Sequence, residues 1–133
     1  MPSTAPHPRE LLHESRFHRR WRAVLAVLLV VLAGQADMPG SGAPSLGVGD
    51  KIDHLLAFAT LASIAALAQR AGSASALQAA LGLLAYGGFI ELVQTQIPSR
   101  SGEWADLLAD GIGIAAGLLC VALLRRLWRA NLP

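Results

Sequence analysis

The stretch Trp104-Ala-Asp106-Leu-Leu-Ala-Asp110-Gly-Ile-Gly113-Ile-Ala-Ala-Gly117-Leu-Leu-Cys120-Val-Ala-Leu-Leu124 decides the fold. It is apolar apart from two aspartates and does not alternate apolar with polar residues, so it reads as a helix rather than a strand. At a rise of about 1.5 Å per residue it reaches across a hydrocarbon core of about 30 Å. Three further apolar stretches precede it, at 21–36, 52–68 and 76–97. The last of these also reaches across, whereas the first two fit only with help from their flanks. The sequence therefore predicts an all-α protein, an integral membrane four-helix bundle. A polar tail over 1–20 precedes the four-helix domain at 21–124, and a basic tail follows over 125–133.

Composition agrees. Of 133 residues 53% are hydrophobic and 15% charged, against roughly a quarter charged in ordinary globular domains. Disorder is excluded for the apolar part, which has ample surface to bury, and Cys120 alone cannot make a disulfide scaffold. The pI of about 9.3 comes from arginines at the two ends. That distribution suits lipid headgroups and membrane topology rather than nucleic acid, so no nucleic acid partner is expected.

Nine of the eleven lysines and arginines lie before or at the start of the first stretch, between the second and third, or after the fourth. Only Lys51 and Arg100 belong to the other side. The positive-inside rule then puts both termini in the cytoplasm, and Trp21, Trp104 and Trp128 sit at predicted helix ends, where a headgroup layer would hold them. A rival reading of the first stretch is a cleavable signal peptide, with a basic start, an apolar run over 23–34 and small residues at Gly34 and Ala36. The segment 38–49, rich in Gly, Pro and Ser, reads as a flexible external loop.

Seven of the nine acidic residues, Asp37, Asp50, Asp53, Glu91, Glu103, Asp106 and Asp110, fall on the outer side or inside outer helix ends. Glu91 and Asp110 each lie roughly 9 Å inward at about 1.5 Å per residue. A short loop makes helices three and four expected antiparallel neighbours, so these two carboxyls are expected to face one another and titrate as a pair. Ala80, Leu84, Gly87, Glu91, Gln94 and Pro98 form the expected facing stripe of helix three. Asp106, Asp110, Gly113, Gly117 and Cys120 form that of helix four, with Cys120 read as packing. Intramembrane carboxylates also hold helices together without doing chemistry, with Lys51 and Arg100 neutralising Asp106 or Glu91. A structural membrane partner without a ligand is therefore kept beside the functional readings. Seven acidic groups around one mouth exceed what joining four helices requires, because each ionisable group in a bilayer is costly.

Asp50-Lys51-Ile-Asp53-His54, Glu91-Leu-Val-Gln94 and Pro98-Ser-Arg100-Ser-Gly-Glu103-Trp-Ala-Asp106-Leu-Leu-Ala-Asp110, followed by Gly113 and Gly117, resemble the VanZ-like family of small bacterial membrane proteins over residues 21–124. That family shows a D-K-x-x-H start, an E-x-x-Q step and a P-x-R-x-x-x-x-x-D-x-x-x-N ending. Lys51, His54, Glu91, Gln94, Arg100 and Asp106 match it, while Asp110 stands where the family usually has Asn. The family takes its name from a protein associated with low-level resistance to teicoplanin, a glycopeptide acting outside the cytoplasmic membrane. The resemblance implies a multi-pass protein of the bacterial cytoplasmic (inner) membrane with a cell-envelope function.

The expected role is binding of an anionic lipid or envelope ligand in an outward-facing pocket made by Lys51, His54, Glu91, Gln94, Arg100, Asp106 and Asp110. The alternative is a membrane-embedded enzyme acting on phosphorylated lipid or a lipid-linked wall precursor, with Lys51 and Arg100 as anchors, His54 as acid, base or nucleophile and Glu91 with Asp106 orienting it. No Walker loop or nucleophile elbow supports catalysis. His54, Asp50, Glu91 and Asp106 offer a mixed set for zinc or manganese but lack HExxH or CxxC regularity, so no metal and no cofactor is assigned. His7, His13 and His18 show no ligand spacing, and four short helices leave little room for alternating access. Membrane lipids are expected partners, and a homo-oligomer or a membrane protein partner stays open.

Cysteines placed singly at 51 and 100 should both be labelled by an impermeant maleimide from outside the cell; labelling on contrary leaflets would remove the common mouth.

Overall fold

The computed structural model describes residues 8–36, 49–96 and 103–131, and all its secondary structure is helical: α1 (Pro8–Ala36), α2 (Asp50–Ala68), α3 (Ser73–Gln94) and α4 (Trp104–Ala130). The expected external loop and Arg100, Asp37 and Pro98 lie outside the described residues. Helix α1 begins at Pro8 rather than at residue 21. Arg, Glu and Leu are good helix formers and proline suits a first helical position, so the polar stretch continues the apolar helix backwards. Trp21 accordingly lies within α1, where the charged part gives way to the apolar part, and packs edge-on against Phe17. The basic segment 125–130 continues α4 in the same way.

Helices α2, α3 and α4 are each long and apolar enough to cross a membrane. Arg19, Arg20 and Arg22 confine the uncharged run of α1 to 23–36, about 21 Å of helix. That apolar part still belongs to the packed core. Leu25, Leu28, Leu29 and Leu32 pack against a cluster that includes Phe58, Leu61 and Ala65 of α2, Leu83 and Ile90 of α3 and Ile114 of α4. The Tyr86 hydroxyl donates to the Leu29 carbonyl and ties α3 to α1.

The most extensive packing joins α2 to α4. A β-carbon added at Gly113 would strike the Leu55 carbonyl oxygen and come within 3.0 Å of the Ala59 nitrogen. One added at Gly117 would strike the Ala59 carbonyl oxygen and come within 3.0 Å of the Ala62 β-carbon and Ser63 Oγ. Two small residues four apart thus let two backbones touch, as in small-xxx-small helix pairs. Ser63 Oγ also donates 2.8 Å to Ala59 O and lies 3.4 Å from Gly117 O. The contacts Lys51–Asp106, His54–Asp110 and Ser63–Gly117 join residues 55, 56 and 54 positions apart, so the two helices run parallel in nearly fixed register.

Helices α3 and α4 are in contact, as the short loop predicts, but α4 packs most extensively on α2: a short connection governs adjacency along the chain, whereas the glycines govern how closely backbones approach. The α4 stripe of Asp106, Asp110, Gly113 and Gly117 is buried, but it continues through Val121. Cys120 is exposed on the outward face and is no packing residue. On α3 the buried positions are Ala79, Leu83, Gly87, Ile90 and Gln94, one residue off the expected Ala80 and Leu84.

At the other end of α2, basic side chains take up the carbonyls that a helix terminus leaves without intrahelical donors. Arg22 donates to Ala68 O at 3.3 Å, Arg125 to Ala66 O at 2.9 Å and to Gln69 O at 3.4 Å, and His18 Nδ1 lies 3.1 Å from Leu67 O. This crown brings the basic residues of α1 and α4 to one end of the protein.

Gly113→Ala and Gly117→Ala should each destabilise the detergent-solubilised protein by about 1–3 kcal/mol through overpacking. Gly88→Ala, whose added carbon meets nothing within 4 Å, should instead leave stability unchanged or raise it. Thermal unfolding of the three variants reads both signs.

Candidate functional site

Polar side chains of α2, α3 and α4 meet at the end opposite the basic crown. The parallel register of α2 and α4 places the first turns of both helices side by side, so Lys51 and His54 face Asp106 and Asp110. His54 Nδ1 lies 2.9 Å from Asp110 Oδ1, and the Asp110 side chain is 0% exposed. An ionised Asp110 accepts the Nδ1 proton, which leaves Nε2 as the ring nitrogen able to meet a ligand.

Phe58, one turn after His54, lies with its ring plane 3° from that of the imidazole at a centroid separation of 6.5 Å. Beneath this pair α3 presents Gly87. A β-carbon there would lie 2.5 Å from Asp110 Oδ2 and 3.2 Å from Phe58, so only glycine leaves room for the carboxylate.

At the rim, Lys51 Nζ donates 2.8 Å to Glu103 Oε2 and 3.4 Å to Asp106 Oδ1. Lys51 and Glu103 are about half exposed, whereas Asp106 is buried. The Lys51 ammonium holds the Glu103 carboxyl below its ordinary value of 4.5. A depressed carboxyl contributes through its ion pair above its unfolded pKa, and that contribution is lost as pH falls through the lower folded value. The pair therefore persists across neutral and mildly acidic pH. Glu91 Oε2 accepts the Glu103 backbone N–H at 2.9 Å, joining α3 to the start of α4.

In the expected Glu91–Asp110 pair one oxygen of each carboxyl is engaged elsewhere, Asp110 Oδ1 by His54 and Glu91 Oε2 by the Glu103 backbone, while Asp110 Oδ2 approaches α3 at Gly87. Two buried oxygens, Glu91 Oε1 and Asp110 Oδ2, meet no donor among the described residues. Gln94 is buried about one turn further along α3. Arg100 lies outside the described residues. Asp50, His54 and Asp106 bring ligand atoms within 4.8 Å of one another, a set able to hold a divalent cation, and Glu91 is not part of it.

The residues missing from the expected site are Glu103, Phe58 and Gly87. The position of Phe58 four residues after His54 is a helical spacing visible in the sequence; the roles of the other two follow from packing between helices.

An all-helical chain with three helices able to cross a bilayer and ionisable side chains gathered at one end defines a small membrane protein. Residues 6–125 match the VanZ/LLP1 family, and the chain belongs to that family, in agreement with the spaced motifs around Lys51, Glu91 and Asp106. No curated protein and no solved structure matches it.

His54→Ala should destabilise the protein by about 1–3 kcal/mol by leaving the buried Asp110 carboxyl without its partner. Asp110→Asn should cost less. Unfolding of the two single variants and the double variant should give a coupling of about 0.5–3 kcal/mol; simple additivity would show that the contact carries no energy.

Proposed function

We propose that this VanZ/LLP1 protein is a multi-pass protein of the bacterial cytoplasmic membrane, a four-helix membrane bundle that engages an anionic envelope ligand at an outward-facing mouth. The observation that carries this reading is the burial of Asp110 against His54 inside apolar helices, directly below the half-exposed Lys51. Holding ionisable groups in a membrane is costly, and packing at Gly113 and Gly117 already joins α2 to α4 without them.

Lys51 is the anchor. The exposed Glu103 carboxylate on its ammonium marks the position that a phosphate or carboxylate of the ligand would take by exchange. His54 Nε2 is the second donor when the ring is protonated, Asp106 and Asp110 hold the two cations in place, and Glu91 fixes the start of α4. Arg100 adds a further cation on the same side by sequence. The gathering of basic residues at the opposite end supports cytoplasmic termini, with α1 as the fourth span and its arginines at the inner headgroup layer. Influence on glycopeptide susceptibility belongs to this proposal as its cellular consequence.

A second reading is favoured by the convergence of Asp50, His54 and Asp106. A divalent cation held there would offset the excess of carboxylates at the mouth and bridge them to an anionic headgroup, with Asp110 orienting the imidazole from behind.

One experiment separates the readings. Purified wild-type protein and the Lys51→Gln, His54→Ala and Asp106→Asn variants are incubated with radiolabelled envelope lipids, with added zinc or manganese and with chelator. Stoichiometric retention by the wild type, lost in Lys51→Gln and indifferent to chelator, is the expected result. Loss on chelation and in His54→Ala would favour the cation, conversion of the lipid would favour an enzyme, and equal retention by all four proteins would leave Lys51, His54 and Asp106 with only a scaffold role.

A further inference from the structure

A second polar feature lies at the basic end, outside the site around His54. The turn between α2 and α3 and the last turns of α4 enclose a cavity of about 380 Å³. Arg70, Arg125, Arg126 and Arg129 line it, and no Asp or Glu is among the described residues that do. Arg125 is fixed by the Ala66 and Gln69 carbonyls, which holds its charge at the cavity wall.

Two further observations define what would fit. The start of α3 lines the cavity at Gly72, Ser73 and Ser75. The first helical hydrogen bond runs from Ala76 N to Gly72 O, and no side chain caps this terminus. The N–H groups of its first turn therefore present donors and a positive dipole end to the same space as the arginines. The remaining wall is apolar, made by Leu118, Val121 and Ala122 of α4, and it continues into a helix able to cross a membrane. Cations and backbone donors at the mouth with an apolar wall toward the bilayer match a molecule whose phosphate is joined to hydrocarbon chains, and a basic pocket between helices at a membrane surface is the usual form of such a site.

We propose that this cavity binds the phosphate headgroup of an anionic phospholipid from the leaflet at the basic end, with its acyl chains against Leu118, Val121 and Ala122. Arg126 and Arg129 face the headgroup, Arg125 shapes the wall and the first turn of α3 supplies backbone donors. The assignment is independent of the ligand proposed for the His54 end.

The test uses the full chain in nanodiscs of phosphatidylcholine doped with phosphatidylglycerol, with lipid carried through extraction counted by native mass spectrometry. The wild type should retain one phosphatidylglycerol in preference to phosphatidylcholine. Arg126→Gln/Arg129→Gln should weaken that retention about thirtyfold, from the loss of two surface-near cations. Ser73→Glu, which places a carboxylate at the α3 start where it favours the helix, should also expel the lipid. His54→Ala should retain it, which keeps this result separate from the outcome at the other end. Circular dichroism checks that the variants keep their helices. Retention that ignores headgroup charge, or that survives both arginine substitutions and Ser73→Glu, would overturn the proposal. Displacement of the lipid by millimolar inorganic phosphate would overturn the lipid assignment in favour of a free phosphate site.

Discussion

The backbone contact between α2 and α4 at Gly113 and Gly117 sets the rest of the structure. With no side chain at either position, the α4 backbone lies on Leu55 and Ala59, and the register of the two helices is fixed along their length. That register decides that Lys51 meets Asp106 and His54 meets Asp110, since Asp110 and Asp106 precede Gly113 by about one and about two turns of α4. The polar contacts follow from the apolar packing. Phe58 shows the same dependence: its ring, part of the core, lies close to Gly87 and nearly parallel to the imidazole.

The two ends of the protein solve opposite electrostatic problems. At one end the N-terminal turns of α2 and α4 gather carboxylates, as helix N-termini favour, with Lys51 and His54 among them. At the other, the carbonyls ending α2 are met by Arg22, His18 and Arg125 from two different helices. The crown therefore joins α1 and α4 to α2 through hydrogen bonds that packing of leucines alone would not direct.

Much of this was legible in the sequence, for identifiable reasons. The four helices follow from apolar stretches too long for strands, and the α4 face from Asp106 to Gly117 follows from polar and small residues at helical spacing. Where polar markers stop, the face is lost. Cys120 and Val121 are both apolar neighbours, as are Ala80 and Ala79, and a helix apolar on every side gives no periodicity to choose between core and lipid. The partner of Asp110 was not legible either. Loop length pointed to Glu91 on α3, but the identity of the nearest helix depends on how closely backbones approach, and the small residues of α2 opposite Gly113 carry no polar signal. Glu103 acts partly through its backbone N–H, which residue type cannot announce. The extent of α1 was missed because hydrophobicity marks where a helix is buried, while its polar extension rests on propensity alone.

The parallel pairing of α2 with α4 also has a bearing on biogenesis. The two halves of the seam are not consecutive in the chain, so the whole of α3 is synthesised between them. During synthesis His54 therefore exists before the aspartate it will meet, and the contacts His54–Asp110 and Lys51–Asp106 form only once α4 has been made.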